Sequence, residues 1–431
     1  MKRLSKIAIS ILSIALMTSC GGEDQGDGND AFVPALDPET SCAISVVGDY
    51  DNFEALEAEF DRFNTFYKNV QLSYSKVDDY KNNLATVLGR ENERPNIFFS
   101  KTWMFENEKY NPVIAHMENL SNPNLKINID CLRPGLVSHY KNGNVLMVPV
   151  FSRTYGMLVN TDLFKKENLN VPNTWDELLT VSNEFANKGY KSPMMGYSKD
   201  SSSCLMYTIA YPAFVSTLTK NLGALELANN LDPQAGEYTR EALQKVKDLV
   251  DSNAIDLAEC NDQIGDNYGK VILRFFEGDV PMMICGGDTP SGTKKRESQS
   301  QAFIDHPFEY SFHPIPLTSE GGYFMDSPSV EFSVNKDAEN LDMTNEFMRF
   351  LVRNEELNTM ASAKRLVTPT KEMAFDSMYA PFGQIPAERT FSPEVLGIKD
   401  PLTVQIRLAS FEVGANGLSV QDAVERYGTF K

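Results

Sequence analysis

VPVFSRTYGMLVNTDLFKKENLNVPNTWDELL, residues 148–179, is the stretch whose reading decides the fold. An apolar run carrying Pro149 stops at Val150, and Arg153, Tyr155 and Gly156 interrupt it before a second apolar run at 157–159. A strand that stops and restarts extended predicts a crossing between two lobes, so a bound molecule is expected to touch that crossing. Thr174 and Glu177 stand at capping-box spacing, with Trp175, Leu178, Val181 and Phe185 on one helical face, which makes Trp175 structural.

Upstream, residues 44–47 predict a strand, 48–52 a polar loop, and Phe53, Leu56, Phe60 and Phe63 an amphipathic helix, with Asp51 and Glu54 read as its N-cap pair. Strands at 70–74 and 95–99 with a helix at 79–88 between them imply a mostly parallel α/β sheet. Open α/β sheets bind ligands outside the carboxyl ends of their strands, which makes Asp49, Tyr50 and, in the loop 100–103 that holds Lys101, Trp103 candidate ligand residues. Trp103 falls in the loop after the third strand and outside any helical stripe.

Downstream come a polar loop at 198–203 with Asp200, helices at 239–250 and 268–276, and a strand at 280–285. That strand stops at Gly286, Gly287 and Asp288, where glycine permits close backbone approach or positive φ. Residues 308–316 predict a second crossing, and 321–327, including Asp326, lead into a strand at 330–334.

The 431 residues carry a net charge of −19. Lys2, Arg3 and Lys6, the apolar run 7–17 and Thr18-Ser19-Cys20 form an export leader ending at a cysteine, too short to span a bilayer comfortably. Removing it leaves 37 basic against 59 acidic side chains, a net charge of −22, which disfavours a nucleic-acid partner. Cleavage before Cys20 with acylation of its thiol is the bacterial lipoprotein pattern, and the wholly non-apolar run 21–30 suits a solvated tether. Five further cysteines, Cys42, Cys131, Cys204, Cys260 and Cys285, have no paired spacing and predict neither a disulfide framework nor a metal site.

Taken in order, PNIFF (95–99), VP (148–149), GMLVNTDLF (156–164), VPNTWDEL (171–178), FEGDVPMM (276–283) and EFMRFL (346–351) resemble the maltose-binding-like, family 1 extracellular solute-binding proteins of bacterial ABC importers. The resemblance implies a two-lobed, periplasmic-binding-protein-like α/β fold with a hinge and an interlobe cleft. It implies a leader at 1–19, a tether at 20–40, lobe 1 from 41–150 plus about 312–350, and lobe 2 from 151–311 plus about 351–431. It also implies a monomeric receptor, exported and held to a bacterial membrane by acylated Cys20 alone, that passes a sugar or oligosaccharide to permease subunits without a cofactor. The implied ligand set is Asp49, Tyr50, Asp51, Lys101, Trp103, Arg153, Tyr155, Asp200, Asp288 and Asp326, since carboxylates and arginine pair with vicinal hydroxyls while an aromatic ring covers a sugar's apolar face. Many sugar receptors of this family carry a tryptophan where Asp288 stands, so stacking is expected to be poorer here.

An enzyme is the first rival. Asp49 and Asp51 offer paired carboxylates of glycosidase type, but nothing selects an acid and a base among 59 acidic residues. Neither a Gly-x-Ser-x-Gly elbow nor a His-Glu-x-x-His motif occurs, and GDTPSGTK (287–294) has Thr293 where a phosphate-binding loop needs lysine. His116, His139, His306 and His313 read as surface or packing residues. A sensor or adhesion lipoprotein on the same fold, or a receptor for a non-sugar polar solute, differs only in partner or cargo.

Overall fold

The structure, a computed structural model, describes residues 31–265, 270–373 and 375–431. The leader, Cys20 and the tether to residue 30 lie outside the described residues, as do the first two residues of the helix expected at 268–276. The chain divides into Met1–Val33 and Pro34–Lys431, and all elements below belong to the second unit. The expected tether ends early. Ala35 N donates to Glu346 Oε1 at 2.8 Å and Leu36 N to the Tyr67 hydroxyl at 3.2 Å, so the chain is pinned well before residue 40.

Eleven strands occur among the described residues: β1 Cys42–Gly48, β2 Val70–Lys76, β3 Ile97–Ser100, β4 Val148–Arg153, β5 Gly156–Asn160, β6 Met194–Met195, β7 Met282–Cys285, β8 Tyr310–His313, β9 Phe324–Met325, β10 Ser327–Val334 and β11 Thr390–Phe391. The first sheet has the order β2-β1-β3-β10-β4 and the second β6-β7-β5-β8, while β9 and β11 form a separate parallel pair. Only Thr154 and Tyr155 separate β4 of the first sheet from β5 of the second.

The first sheet is mixed, not mostly parallel. β1 runs parallel to β2 and β3, but β10 is antiparallel to both β3 and β4. The reason is topological: β10 returns from the second sheet, enters at the edge where β1, β3 and β4 end, and must run against them. That return is later than expected, because β8 still pairs with β5 in the second sheet. The Asn354–Lys364 helix, assigned above to lobe 2, packs instead on the Glu54–Asn64 helix and on β4 of the first sheet.

Packing of Phe53 decides where the first helix begins. Its fully buried ring lies 5.4–5.8 Å from the rings of Tyr50, Phe99, Tyr74 and Phe151. Phe53 is therefore the N-cap residue of Glu54–Asn64, with no side-chain cap bond, and Asp51 pairs with Lys76 at 2.7 Å instead of capping. At the second helix start the capping expectation holds on one arm: Thr174 Oγ1 accepts from Glu177 N at 3.2 Å, while Glu177 Oε2 accepts from Asn173 N. Trp175 is 8% exposed beneath Lys245, whose ammonium lies 4.6 Å from its ring, so its role is packing.

One buried acid is badly placed. Glu59 on the Glu54–Asn64 helix is wholly buried, neither carboxylate oxygen has a hydrogen-bond partner, and its nearest cation, Arg62, is 3.5 Å away and shared with Glu355 and Glu356. Burial raises its pKa to about 7 against the Arg62 charge. The folded state then holds a proton that the unfolded state releases between about pH 4.5 and 7, so this group lowers stability as pH rises through that window. Glu59→Gln is expected to raise the melting temperature at pH 8, by the equivalent of about 2 kcal/mol, and to leave it nearly unchanged at pH 4.5. An equal shift at both pH values contradicts this account.

Candidate functional site

β1, β3 and β4 all end at the edge of the first sheet where β10 begins, bringing Tyr50, Lys101, Arg153 and Ser329 together. In the second sheet β7 ends opposite the start of β5, which delivers the loop Gly286-Gly287-Asp288 to the same place. A Cβ at Gly287 would fall 2.7 Å from Arg153 Cδ. Of the two roles expected for these glycines, close approach is the one realised: the loop backbone packs on the arginine stem.

Asp288 joins the two edges. One carboxylate oxygen accepts from Arg153 Nη1 at 2.9 Å and the other from Ser329 Oγ at 2.6 Å. The Tyr50 hydroxyl also contacts Ser329, and Lys101 Nζ donates to the Ser329 carbonyl. Side-chain exposure of 36% for Arg153 and 49% for Asp288 leaves both open to solvent at the floor of a recess. Burial pushes the Asp288 carboxyl up, but Arg153, the Ser329 hydroxyl and Lys101 together outweigh it and hold the group below its ordinary value. Arg153 is driven the other way, chiefly by Asp288. Burial, reinforced by Arg153, lowers Lys101. Glu331 on β10, 1% exposed, is pushed to about 7 by burial although Lys101 opposes it, and it accepts from Thr102 N at 3.1 Å.

Beside this polar cluster stands an aromatic one. The hydroxyls of Tyr155 and Tyr207 are 3.3 Å apart, Tyr207 and Tyr211 stack at 5.0 Å, and Tyr155 meets both edge-on at 5.7 Å. Tyr207 and Tyr211 lie one turn apart on the Tyr207–Thr219 helix. Together the two clusters present hydrogen-bonding groups of both charges next to flat apolar surface.

The other expected residues lie apart from this convergence or are engaged elsewhere. Asp49 is exposed at the β1 end, and Asp51 is held by Lys76. Trp103 sits on a 3-10 turn, edge-on to Tyr110 at 5.0 Å and under Lys81 at 5.5 Å. Asp200 Oδ1 accepts from Ser202 N, Ser202 Oγ and Ser203 N, stabilising its own loop. Asp326 is 5% exposed and gripped from two sides by Arg133, at 2.7 and 2.8 Å. Sequence reasoning did not find Ser329, Glu331, Tyr207, Tyr211 or Arg133. The usable signal was the tyrosine pair at i, i+4; the rest depends on β10 entering between β3 and β4.

Arg133 spends every N–H of its guanidinium: Nε and Nη2 on Asp326, Nη2 also on Ser152 Oγ, and Nη1 on the carbonyls of Thr368 and Thr370. The five cysteines are free thiols, and no group of three or more potential ligands is placed to hold a metal among the described residues.

Two α/β sheets joined by short crossings, with a polar and aromatic recess where their edges meet, define a two-lobed binding protein. Residues 57–384, well over half the chain, match the profile of a bacterial extracellular solute-binding protein family, and the chain belongs to that family. Solved structures agree in fold. A protein from a study of xylan utilisation by Caldanaerobius polysaccharolyticus is 18% identical, with TM-score 0.66 over 90% of this chain and 99% of its own. The sugar-binding protein MalE from Xanthomonas citri is 16% identical, with TM-score 0.66 over 90% and 95%. Apo RafE from Streptococcus pneumoniae is 16% identical, with TM-score 0.62 over 92% and 98%. No curated protein matches the chain in sequence.

Replacing Arg133 by leucine strands a buried carboxylate and two carbonyls. It is expected to cost about 3–5 kcal/mol in urea unfolding, with Arg133→Leu/Asp326→Leu recovering part of the loss. A single-variant cost below about 1 kcal/mol contradicts the role given to this node.

Proposed function

We propose that this protein is a lipid-anchored receptor that binds a saccharide between its two lobes and hands it to an ABC permease. The observation that carries the reading is the meeting of Tyr50, Lys101, Arg153 and Ser329 from the first sheet and its crossing with Asp288 from the second, beside Tyr155, Tyr207 and Tyr211. Charged donors and acceptors set against aromatic faces match the hydroxyl edge and apolar face of a pyranose. Several proteins of this fold are described with sugars, including RafE with raffinose and a Bacillus licheniformis transporter protein with stachyose, which supports the same class of cargo.

In this reading lobe 1 is built on the first sheet and lobe 2 on the second, with the hinge at the crossings. Asp49 and Trp103 serve the rim, and Cys20 carries the anchor of a monomer outside the cytoplasm. No helix among the described residues is long and apolar enough to cross a membrane.

Thermal shift against mono- and oligosaccharides, polyols, amino acids and nucleosides tests the cargo: saccharides are expected to raise the melting temperature by mass action on the folded state. Stabilisation by another class alone, or turnover of any sugar, overturns the reading. With the stabilising sugar, Asp288→Ala should weaken binding about 10- to 100-fold, the range for a lost charged hydrogen bond. Cys20→Ala should move the protein from the membrane to the soluble fraction, and an unchanged distribution rules out the lipid anchor.

A further inference from the structure

The family match ends at residue 384, yet the chain beyond it returns to the recess. Strand β11 pairs in parallel with β9, Thr390 against Phe324 and Phe391 against Met325, and Asp326 N donates to Phe391 O at 2.8 Å. Ser392 then donates to the Gly135 carbonyl, and the short Pro393–Leu396 helix packs on the Pro134–Leu136 turn. This places Glu394 beside β4 and the start of β10. Its carboxyl contacts the Ser327 hydroxyl and interacts with Arg153, Asp326 and Glu331, while Tyr155 and Tyr211 feel its charge from the second lobe.

Each other charge in the recess has a partner. Asp288 has Arg153, Asp326 has Arg133, and Glu331 has Thr102 and the nearby Lys101. Glu394 is half-buried and forms no ion pair within 4 Å among the described residues; beyond Ser327 it has a long contact of 3.4 Å from Ser392 Oγ. A half-buried carboxylate without its cation is poorly satisfied, and such groups are completed by a ligand that brings donors.

We propose that Glu394 is a solute-binding residue, delivered by the C-terminal segment, whose ionised carboxylate accepts hydrogen bonds from sugar hydroxyls alongside Tyr155 and Tyr211. This rests on the saccharide reading above. Burial raises the free carboxyl to about 7, against the pull of Arg153 and Ser327 and with a push from Asp326. Hydroxyl donors favour the charged form, so binding releases a proton and affinity rises with pH.

The test is calorimetric titration of the full chain with maltose, raffinose, stachyose and xylotriose at pH 6 and pH 8. Wild type is expected to bind its sugar about tenfold tighter at pH 8 than at pH 6, as one proton per site is removed across a pKa near 7. Glu394→Gln should bind about tenfold more weakly than wild type at pH 8, approach it at pH 6, and fold with an apo melting temperature that is no lower than wild type at pH 6 and higher at pH 8, as relief of a raised carboxyl requires. Should that variant fail to fold, wild type at pH 7 in phosphate and in Tris still reports the proton, about half of one released per sugar bound. Wild-type binding with an unchanged pH profile in Glu394→Gln, or with no proton released, overturns the inference and spares the receptor reading. No binding of any of these sugars by wild type, with none stabilising it in the thermal-shift panel, overturns both.

Discussion

The guanidinium of Arg133 is the point on which the two-sheet arrangement depends. The chain passes between the sheets at residues 154–155, again between β8 and β10, and again after the Asn354–Lys364 helix, where Val367 bridges to Ser152. Arg133 binds all three passages at once, through Ser152, Asp326, and the carbonyls of Thr368 and Thr370. Only arginine offers five donors in one plane at this reach, and lysine has neither the number nor the geometry. A buried pair of this kind adds little net stability over an apolar replacement, because desolvation offsets the attraction. Its contribution is register: with Ser152 and Asp326 fixed, Arg153 and Ser327–Ser329 emerge at defined positions beside one another.

The recess follows from that register. Its charges satisfy one another: Asp288 takes Arg153 and Ser329, and Lys101 takes the Ser329 carbonyl. In the proposed reading, a solute entering this network would exchange hydrogen bonds more than add them. The net gain then comes from groups left incomplete and from aromatic area covered, and selectivity comes from leaving buried polar groups unpaired when the wrong molecule enters.

How much of this is legible in the sequence divides along physical lines. Strands and their carboxyl-end loops follow from local patterning, and Tyr50, Lys101, Arg153 and Asp288, which converge in the structure, each follow a readable apolar run. Asp326 fits the same rule, but its partner Arg133 stands 193 residues away in a loop with no pattern of its own. Asp51 looked like a cap by spacing, yet burial of the Phe53 ring fixes the helix start and frees Asp51 for Lys76. Glu331 has the appearance of a solvent-facing position in an alternating strand; insertion of β10 between β3 and β4 buries both of its faces, which no window of local sequence contains.

Where the family resemblance leads one to expect a tryptophan, this chain has Asp288, and three tyrosines stand nearby. Aromatic surface comes from Tyr155 at the crossing and from Tyr207 and Tyr211 on a helix of the second lobe, whereas most polar groups belong to the first sheet and its crossings. Tyrosine offers a smaller face than tryptophan but carries a hydroxyl that bonds at the rim, as the 3.3 Å contact between Tyr155 and Tyr207 shows. The second sheet also supplies Asp288 and the first sheet Tyr50, so each lobe carries both kinds of surface in different proportion. In the proposed saccharide reading, a molecule with a polar edge and a flat apolar face draws on residues of both sheets at once, and recognition would then be coupled to closure of the lobes.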